Sequence, residues 1–436
     1  MSASPVSPAA PASAGEVVEA DGTGRALVVG GTLLGVATVA ANAGNYVVNL
    51  LLGRWLSPGE FADATLMVTL WLTMSGVAMA LVLVTARFVG IDPYGPSTAT
   101  LLRRLRRVAW LAGLGLAVLL AAGSPLWAGV FHTGGAWPFV VLAVGLPFHL
   151  ALAVGRGTLQ GRLGFRRLAA SLITEMGVRV AVSSTAVLLG GGVLGATAGL
   201  SCALVVAWAV VRRHTVGATG DVAPLPYDVR AYVRRVAVLL AAQVVLSNVD
   251  LLAAKTFLPA DQTGRYAAVA LIGRGVFFVS WAAATVLFPA VARRHTAGAE
   301  TGSLLRGGLL AVGSLGLVSA VGALLLGDPV LRLVLGPAYG GLGPQLAVYA
   351  LVATTFALAN LVAVHHLSTG RVRESWLMLA GAGVLSVAVL LVHTSTNALI
   401  GAQLVVMVAL LAAVGASHRA SGTRRLAAGA PVRTSR

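Results

Sequence analysis

Residues 45–61 read NYVVNLLLGRWLSPGEF, and residues 246–262 read LSNVDLLAAKTFLPADQ. In both stretches two leucines follow a polar residue, and a basic residue, a proline and an acidic residue come after them at the same spacing. The matched pairs are all 201 residues apart: Asn49 and Asp250, Arg54 and Lys255, Pro58 and Pro259, Glu60 and Asp261. A fixed offset that includes polar positions predicts an internal repeat.

The composition of the chain is typical of an integral membrane protein. Apolar residues make up 57% of the 436 residues and charged residues only 10%, whereas a soluble domain carries about 25% charged residues. The net charge of +17 does not indicate nucleic-acid binding, because the arginines stand in short clusters between apolar runs, as the positive-inside rule demands. Close helix packing in lipid relies on small residues, and the chain has 53 glycines.

Twelve apolar runs are long enough to span a bilayer, which takes about 20 residues. We predict an all-α polytopic membrane protein of about twelve transmembrane helices, with six in each copy of the repeat. The predicted spans lie near residues 26–53, 61–86, 108–131, 137–155, 168–190, 192–211, 236–254, 266–290, 307–327, 345–367, 375–393 and 396–416.

The basic residues orient these spans. With the N-terminus inside, the inner segments hold 25 Lys or Arg residues and the outer segments hold 4. Such a bias predicts a multi-pass protein of the cell (cytoplasmic) membrane with both termini in the cytoplasm. Because each half has an even number of spans, the halves enter the membrane in the same direction and form a parallel repeat, with a cavity expected between the lobes.

The same pattern divides the chain into five segments. A signal peptide needs a basic region before its apolar run, but the N-terminal stretch is acidic and rich in Ala, Ser and Pro, so we predict a disordered cytoplasmic tail there. The predicted segments are the tail 1–25, the N-terminal lobe 26–211, a cytoplasmic linker 212–235, the C-terminal lobe 236–416 and a basic tail 417–436.

An enzyme and a metal site are both disfavoured. A P-loop needs a lysine after a glycine, and the one lysine of the chain, Lys255, follows Ala254. A membrane transferase, polymerase or ligase would normally need an acidic or basic catalytic loop outside the membrane. The longest predicted outer loop, about 328–344, carries only Asp328 and Arg332, and the inner loops are short and mainly basic. The single cysteine, Cys202, and the histidines lack the neighbours of a metal site, and we expect no cofactor.

Polar residues inside the spans are the candidates for function, because a charge at the membrane centre costs roughly 2.5–3.5 kcal/mol and is retained for a reason. Asn42, Asn45 and Asn49 share one face of the first predicted helix, since their spacings are three and four residues. Gln243, Ser247 and Asp250 share a face of the repeat-related seventh helix in the same way. We expect the two polar faces to confront each other across the central cavity and to contact substrate.

Three further charges lie within predicted spans. Arg274 either pairs with an acid such as Asp250 or faces an anionic substrate. Glu175 and Arg179 are four residues apart, so they are expected to neutralise each other on one helix, although Arg179 is also a candidate cavity residue. Asp250 and Glu175 are the two acids available for coupling to a cation.

At this point the sequence resembles the oligosaccharide flippases of the multidrug/oligosaccharidyl-lipid/polysaccharide exporter superfamily. The stretches that carry the likeness are residues 45–61, GRGTLQGRLGFRRLAA at 155–170, DQTGRYAAVALIGR at 261–274 and LFPAVARR at 287–294. Their order and spacing cover roughly residues 26–416. The resemblance implies a two-lobed fold that moves a polyprenyl-diphosphate-linked glycan from the inner to the outer leaflet by alternating access.

The leading hypothesis is therefore a lipid-linked oligosaccharide flippase that takes part in cell-surface polysaccharide assembly. Arg274 would attract the diphosphate or an acidic sugar, and the glycan assembly enzymes would be partners. A cation-coupled small-molecule exporter of the same fold is the alternative, and a non-transporting scaffold of a glycan assembly complex is a third reading.

Overall fold

A computed structural model describes residues 14–212, 229–275, 302–368 and 373–428. These residues form thirteen α-helices with a short π-helical turn at Val187–Gly191 and a 3-10 turn at Pro337–Tyr339. The helices are α1 (Ala14–Trp55), α2 (Pro58–Ile91), α3 (Pro96–Ala122), α4 (Ser124–Val130), α5 (Trp137–Gly161), α6 (Phe165–Ala186), α7 (Gly192–Arg212), α8 (Val229–Phe257), α9 (Ala260–Gly273), α10 (Gly302–Val334), α11 (Gly343–Ser368), α12 (Arg373–Leu391) and α13 (Thr396–Ala428).

Ten helical stretches of the described chain are long and apolar enough to cross a membrane. One of them, Phe165–Arg212, is 48 residues long and contains both α6 and α7, joined at the π-helical turn. The protein is thus a multi-pass membrane protein of the predicted all-α class. The eighth predicted span, 266–290, begins in α9, and its part beyond residue 275 lies outside the described residues.

The two halves repeat one packing scheme. In the first half α1 packs on α6, α2 and α3 pack on α5, and α7 packs on both α5 and α6. In the second half α8 packs on α12, α9 and α10 pack on α11, and α13 packs on both α11 and α12. Each helix thus has the neighbours of its repeat partner, and the predicted architecture of two parallel lobes is confirmed.

Sharp corners join the first two helices of each half. At Ser57 the hydroxyl accepts a hydrogen bond from the Glu60 backbone N–H, and the Glu60 carboxylate accepts one from the Ser57 N–H, while Pro58 occupies the first helical turn. This reciprocal capping box satisfies backbone donors that would otherwise be unpaired. Pro259 precedes α9 at the repeat-related corner. We call the end of the molecule that carries these corners the α1–α2 end.

Helices extend into three segments predicted to be tails or linker. α1 begins at Ala14, inside the segment 1–25 that was predicted to be a disordered tail. α8 begins at Val229, inside the predicted linker 212–235, and α13 continues to Ala428, inside the predicted tail 417–436. The reason is that an existing helix adds one hydrogen bond per residue, and these stretches contain no proline to stop it.

The lobes share an apolar core at the α1–α2 end. Leu52, Leu56 and Phe61 of the first half are buried in one cluster with Leu335 and Tyr339 of the second. The rings of Phe61 and Tyr339 meet edge to face with centroids 6.1 Å apart. Helix α2 packs along α8 and α9, so the two halves are in close contact at this end.

Candidate functional site

A buried polar centre in the second half is built around Asp250. Arg274 donates from Nη2 to Asp250 Oδ1 over 2.8 Å. The hydroxyls of Tyr266 and Tyr349 donate to Oδ2 over 2.9 and 2.8 Å. Asp250 is 2% exposed, and its two oxygens together accept three hydrogen bonds, so the carboxylate is fully satisfied.

This centre joins four helices. Asp250 lies on α8, Tyr266 on α9, Tyr349 on α11 and Gln403 on α13. The Gln403 amide donates to the Tyr266 hydroxyl over 2.7 Å, and Arg274 Nε donates to the Tyr349 hydroxyl over 3.0 Å. Of the two roles open to Arg274, the structure places it in an ion pair with Asp250.

The other predicted polar residues of α8 also bond within their own half. The Gln243 amide donates to Asn360 Oδ1 over 2.6 Å, and the Ser247 hydroxyl donates to the Gln243 carbonyl over 2.6 Å. Gln243 and Asn360 are buried. Buried amides are expected to be paired in this way.

A second polar centre lies in the first half around Arg179. Its guanidinium donates to Asn45 Oδ1 over 2.9 Å and to Asn49 Oδ1 over 3.2 Å, and it stacks over the Trp71 ring at 5.3 Å from the centroid. Arg179 is 3% exposed. All of these partners are neutral, and no described carboxylate forms an ion pair with this guanidinium.

Glu175 forms its direct ion pair with Arg156 rather than with Arg179, although the charges of Glu175 and Arg179 still attract each other. Glu175 Oε2 lies 2.6 Å from Arg156 Nη2 of α5 instead, and Arg156 also donates to the hydroxyl and the carbonyl of Ser171. An i, i+4 pair on one helix is worth only about 0.2–0.5 kcal/mol. The ion pair of Glu175 with Arg156 of the neighbouring helix is stronger, because it is a short, partly buried, charge-assisted hydrogen bond.

The two predicted polar faces turn into their own lobes. The amides Asn45 and Asn49 of α1 contact α6, Asp250 of α8 contacts α9 and α11, and Asn42 is exposed on α1. No described hydrogen bond joins one face to the other, and their confrontation across the cavity stays a prediction.

Several buried polar contacts were missed by sequence reasoning. Tyr266 and Tyr349 hold Asp250, Arg156 holds Glu175, and Lys255 forms an ion pair with Asp63 across the two lobes at 2.5 Å. The signal for Lys255 was its uniqueness as the one lysine of the chain. Among the described residues, no group of three or more His, Cys, Asp or Glu is placed to hold a metal ion.

No protein-family model matches the sequence. Two proteins of Mycobacterium tuberculosis, both described as uncharacterized, are 29% identical to it over 272 residues, which is 58% of this chain and 60% of theirs. The chain thus spans about 60% of the length of the curated relatives it matches.

Solved structures match nearly the whole chain. The lipid II flippase MurJ in an inward closed conformation has a TM-score of 0.70 at 12% identity, with 89% of this chain and 87% of that chain covered. An inward-facing MATE multidrug transporter of the MOP superfamily has 0.66 at 14% identity, covering 87% and 94%.

A MOP superfamily transporter from Pyrococcus furiosus, described by the reverse polarity of its binding pocket, has a TM-score of 0.60 at 14% identity, covering 91% of this chain and 95% of that chain. At these identities the likeness concerns the fold. The chain adopts the two-lobed helical fold found in MurJ and in the MATE transporters.

Proposed function

We propose that the protein is a flippase that moves an anionic, polyprenyl-diphosphate-linked oligosaccharide across the cell membrane by alternating access of its two lobes. The buried guanidinium of Arg179 is the observation from which we infer that the substrate is an anion. A buried guanidinium whose hydrogen-bond partners are neutral amides is costly in a membrane protein, and such a charge is retained where an anion completes the site. Arg179 therefore takes the role in anion binding that Arg274 had in the sequence hypothesis.

The state of the two acids argues against the alternative, a cation-coupled small-molecule exporter. Glu175 is paired with Arg156, and Asp250 with Arg274. A proton or sodium ion that used either carboxylate would first have to displace a bonded guanidinium. The fold is shared by a lipid flippase and by multidrug transporters, and the charge of the first-half centre favours an anionic substrate.

The rest of the first-half centre suits a glycan headgroup. Asn45 and Asn49 are half-buried amides beside Arg179, and Trp71 presents its ring to the same guanidinium. Amides hydrogen-bond sugar hydroxyls, and a guanidinium binds a phosphate through two parallel hydrogen bonds. The proposed glycan contacts of this centre are Asn45 and Asn49.

A thermal-shift measurement on the purified protein tests this proposal with undecaprenyl diphosphate as the probe and undecaprenol as its neutral counterpart. We expect the diphosphate to stabilise the wild type and the alcohol to have no effect, because only the diphosphate reaches Arg179. Arg179→Gln should abolish the shift. Arg166→Gln, which removes one charge from an exposed position of the same helix, should keep it.

Two results would overturn the proposal. Equal stabilisation by diphosphate and alcohol would show that the polyprenyl chain alone is bound. Stabilisation of the wild type by a cationic dye such as ethidium, strengthened in Arg179→Gln, would favour the small-molecule exporter.

A further inference from the structure

The lobes are joined at the α1–α2 end by a buried ion pair. Lys255, in the last turn of α8, places Nζ 2.5 Å from Asp63 Oδ1 of α2 and is 2% exposed. The loop between α4 and α5 (residues 131–136) closes over both charges. The Lys255 ammonium donates to the His132 carbonyl over 3.4 Å, and the Gly134 N–H donates to Asp63 Oδ2 over 2.9 Å.

A repeat-related contact lies on the other side of the interface. Arg54, the repeat partner of Lys255, donates from Nη1 to the Leu333 carbonyl over 3.0 Å. His132 and Leu333 are also 201 residues apart, so the donors and the acceptors of the two contacts obey the same offset. Each half thus extends a cation from its first helix to a carbonyl at the end of the third membrane helix of the other half or just beyond it.

The approximate two-fold axis runs between the corners of the two halves. Gly59 and Ala260 are themselves repeat partners, and a Cβ placed on Gly59 would lie 3.6 Å from the Cβ of Ala260. Residues related by the repeat can touch each other only near the axis that relates the halves. The two cation contacts are therefore arranged around this axis as a pair.

The two cation contacts are not equivalent, because the Lys255 contact includes a carboxylate, Asp63, and the Arg54 contact has no counterpart to it among the described residues. The repeat partner of Asp63 is Gly264, where a Cβ would lie 2.1 Å from the Pro58 carbonyl oxygen, so a side chain is excluded there. Arg54 is exposed and donates to a carbonyl, with no ion pair among the described residues, whereas Lys255 is buried against a full negative charge. The buried Lys255 contact should therefore contribute more to the free energy of lobe association than the exposed Arg54 contact.

We propose that Lys255, Asp63 and the backbone of residues 132–134 form an interlobe latch, and that separating this ion pair is the step that opens the cleft at the α1–α2 end. The latch rests on the alternating-access part of the proposed function and is independent of the substrate. In the orientation predicted from the basic residues, this end faces outward.

The latch has a defined polarity. The His132 carbonyl faces the ammonium and the Gly134 N–H faces the carboxylate. If the two charges were exchanged, a carboxylate would face a carbonyl oxygen and an ammonium would face an N–H donor. A reversed ion pair should therefore fail to restore the latch, although two neutral residues should restore it.

Labelling of one cysteine tests the latch. Leu252 of α8 packs against first-half residues one turn from Lys255, so Leu252→Cys in a Cys202→Ala background reports opening to a membrane-impermeant maleimide added outside intact cells. We expect Asp63→Asn and Lys255→Met each to raise the labelling rate about tenfold or more, which corresponds to about 1.4 kcal/mol, because each leaves an unpaired buried charge that the open state hydrates.

Matched variants separate the latch from a general loss of packing. Arg54→Gln removes the repeat-related exposed cation and should change the rate less than threefold. The neutral pair Asp63→Asn with Lys255→Met leaves no unpaired charge, so it should return close to the parental rate even if a single variant fails to fold. The reversed pair Asp63→Lys with Lys255→Asp should stay fast.

Three results would overturn the latch. One is an unchanged labelling rate in both single variants. Another is an effect of Arg54→Gln equal to that of Lys255→Met. The third is full recovery in the reversed pair, which would remove the role of the 132–134 backbone. Because labelling needs no substrate, failure of the latch is distinguishable from failure of the proposed glycan substrate.

Discussion

Replacing Asp250 by asparagine keeps the size of the side chain but removes the charge at the second-half centre. The asparagine Oδ1 can still accept from the Tyr266 and Tyr349 hydroxyls. Its amide NH2 then faces Arg274 Nη2, which lay 2.8 Å from the carboxylate, so donor meets donor. Arg274 keeps its bond to Tyr349 but loses its counter-charge.

The expected cost follows from the burial of the two partners. Breaking a buried ion pair by removing one partner costs about 3–5 kcal/mol. The Arg274 side chain is 18% exposed and that of Asp250 is 3% exposed, so the guanidinium recovers some hydration and the lower bound, about 3 kcal/mol, applies. Arg274→Gln should cost less, about 2 kcal/mol, because the two tyrosine hydroxyls still stabilise the carboxylate.

A double-mutant cycle measures the pair. With Asp250→Asn and Arg274→Gln together, two neutral amides face each other and no charge is left unpaired, so the double variant should lose only about 2 kcal/mol, well below the sum of the singles. The measurement is the free energy of unfolding of the detergent-solubilised protein on titration with SDS. Additivity of the two single effects within about 0.5 kcal/mol would refute the ion pair.

Two further changes test the first half. Glu175→Gln leaves two arginines of this half, Arg156 and Arg179, without a counter-charge. We therefore expect the free energy of unfolding to fall by about 3 kcal/mol in the same SDS titration, and undecaprenyl diphosphate to bind more tightly. Unchanged stability would contradict the pairing of Glu175 with Arg156. Gly199→Ala should destabilise the protein by about 1–3 kcal/mol, because its Cβ would lie 2.2 Å from the Ser183 hydroxyl. Gly177→Ala, which meets nothing within 4 Å, is the matched control and should be neutral.

The membrane fold was predictable because its signals are local or periodic. Apolar runs predicted the spans, and the offset of 201 residues between positions such as Arg54 and Lys255 predicted two parallel halves. The helix ends were less predictable: α3 begins at Pro96, whereas the apolar run begins near residue 108. The four arginines between these positions extend the helix beyond the apolar run, since their long side chains can reach polar surroundings.

The sequence predicted which polar residues share a helix face, but not which residues of other helices they contact. Spacing placed Asn45 and Asn49 on one face of α1, yet their partner Arg179 comes from α6, and spacing on α6 had paired Arg179 with Glu175 instead. Contacts between helices depend on rotation about each helix axis, which periodicity does not determine. The carbonyl of His132, which receives the Lys255 ammonium, has no side-chain signature at all.

In the proposed transport cycle the two lobes separate at the α1–α2 end. Cysteines at Gly59 and Ala260 test it directly, because the 3.6 Å between their Cβ positions lies within the 3.5–4.5 Å range of disulfides. In a Cys202→Ala background, which removes the one native thiol, oxidation should join the lobes without a shift of the backbone.

The measurement is translocation of a fluorescent polyprenyl-diphosphate oligosaccharide in proteoliposomes before and after oxidation, with the single-cysteine variants Gly59→Cys and Ala260→Cys as controls. We predict that the disulfide forms, that translocation stops, and that a reducing agent restores it, while both controls stay active throughout. Unchanged translocation by the fully cross-linked protein would contradict alternating access through this end.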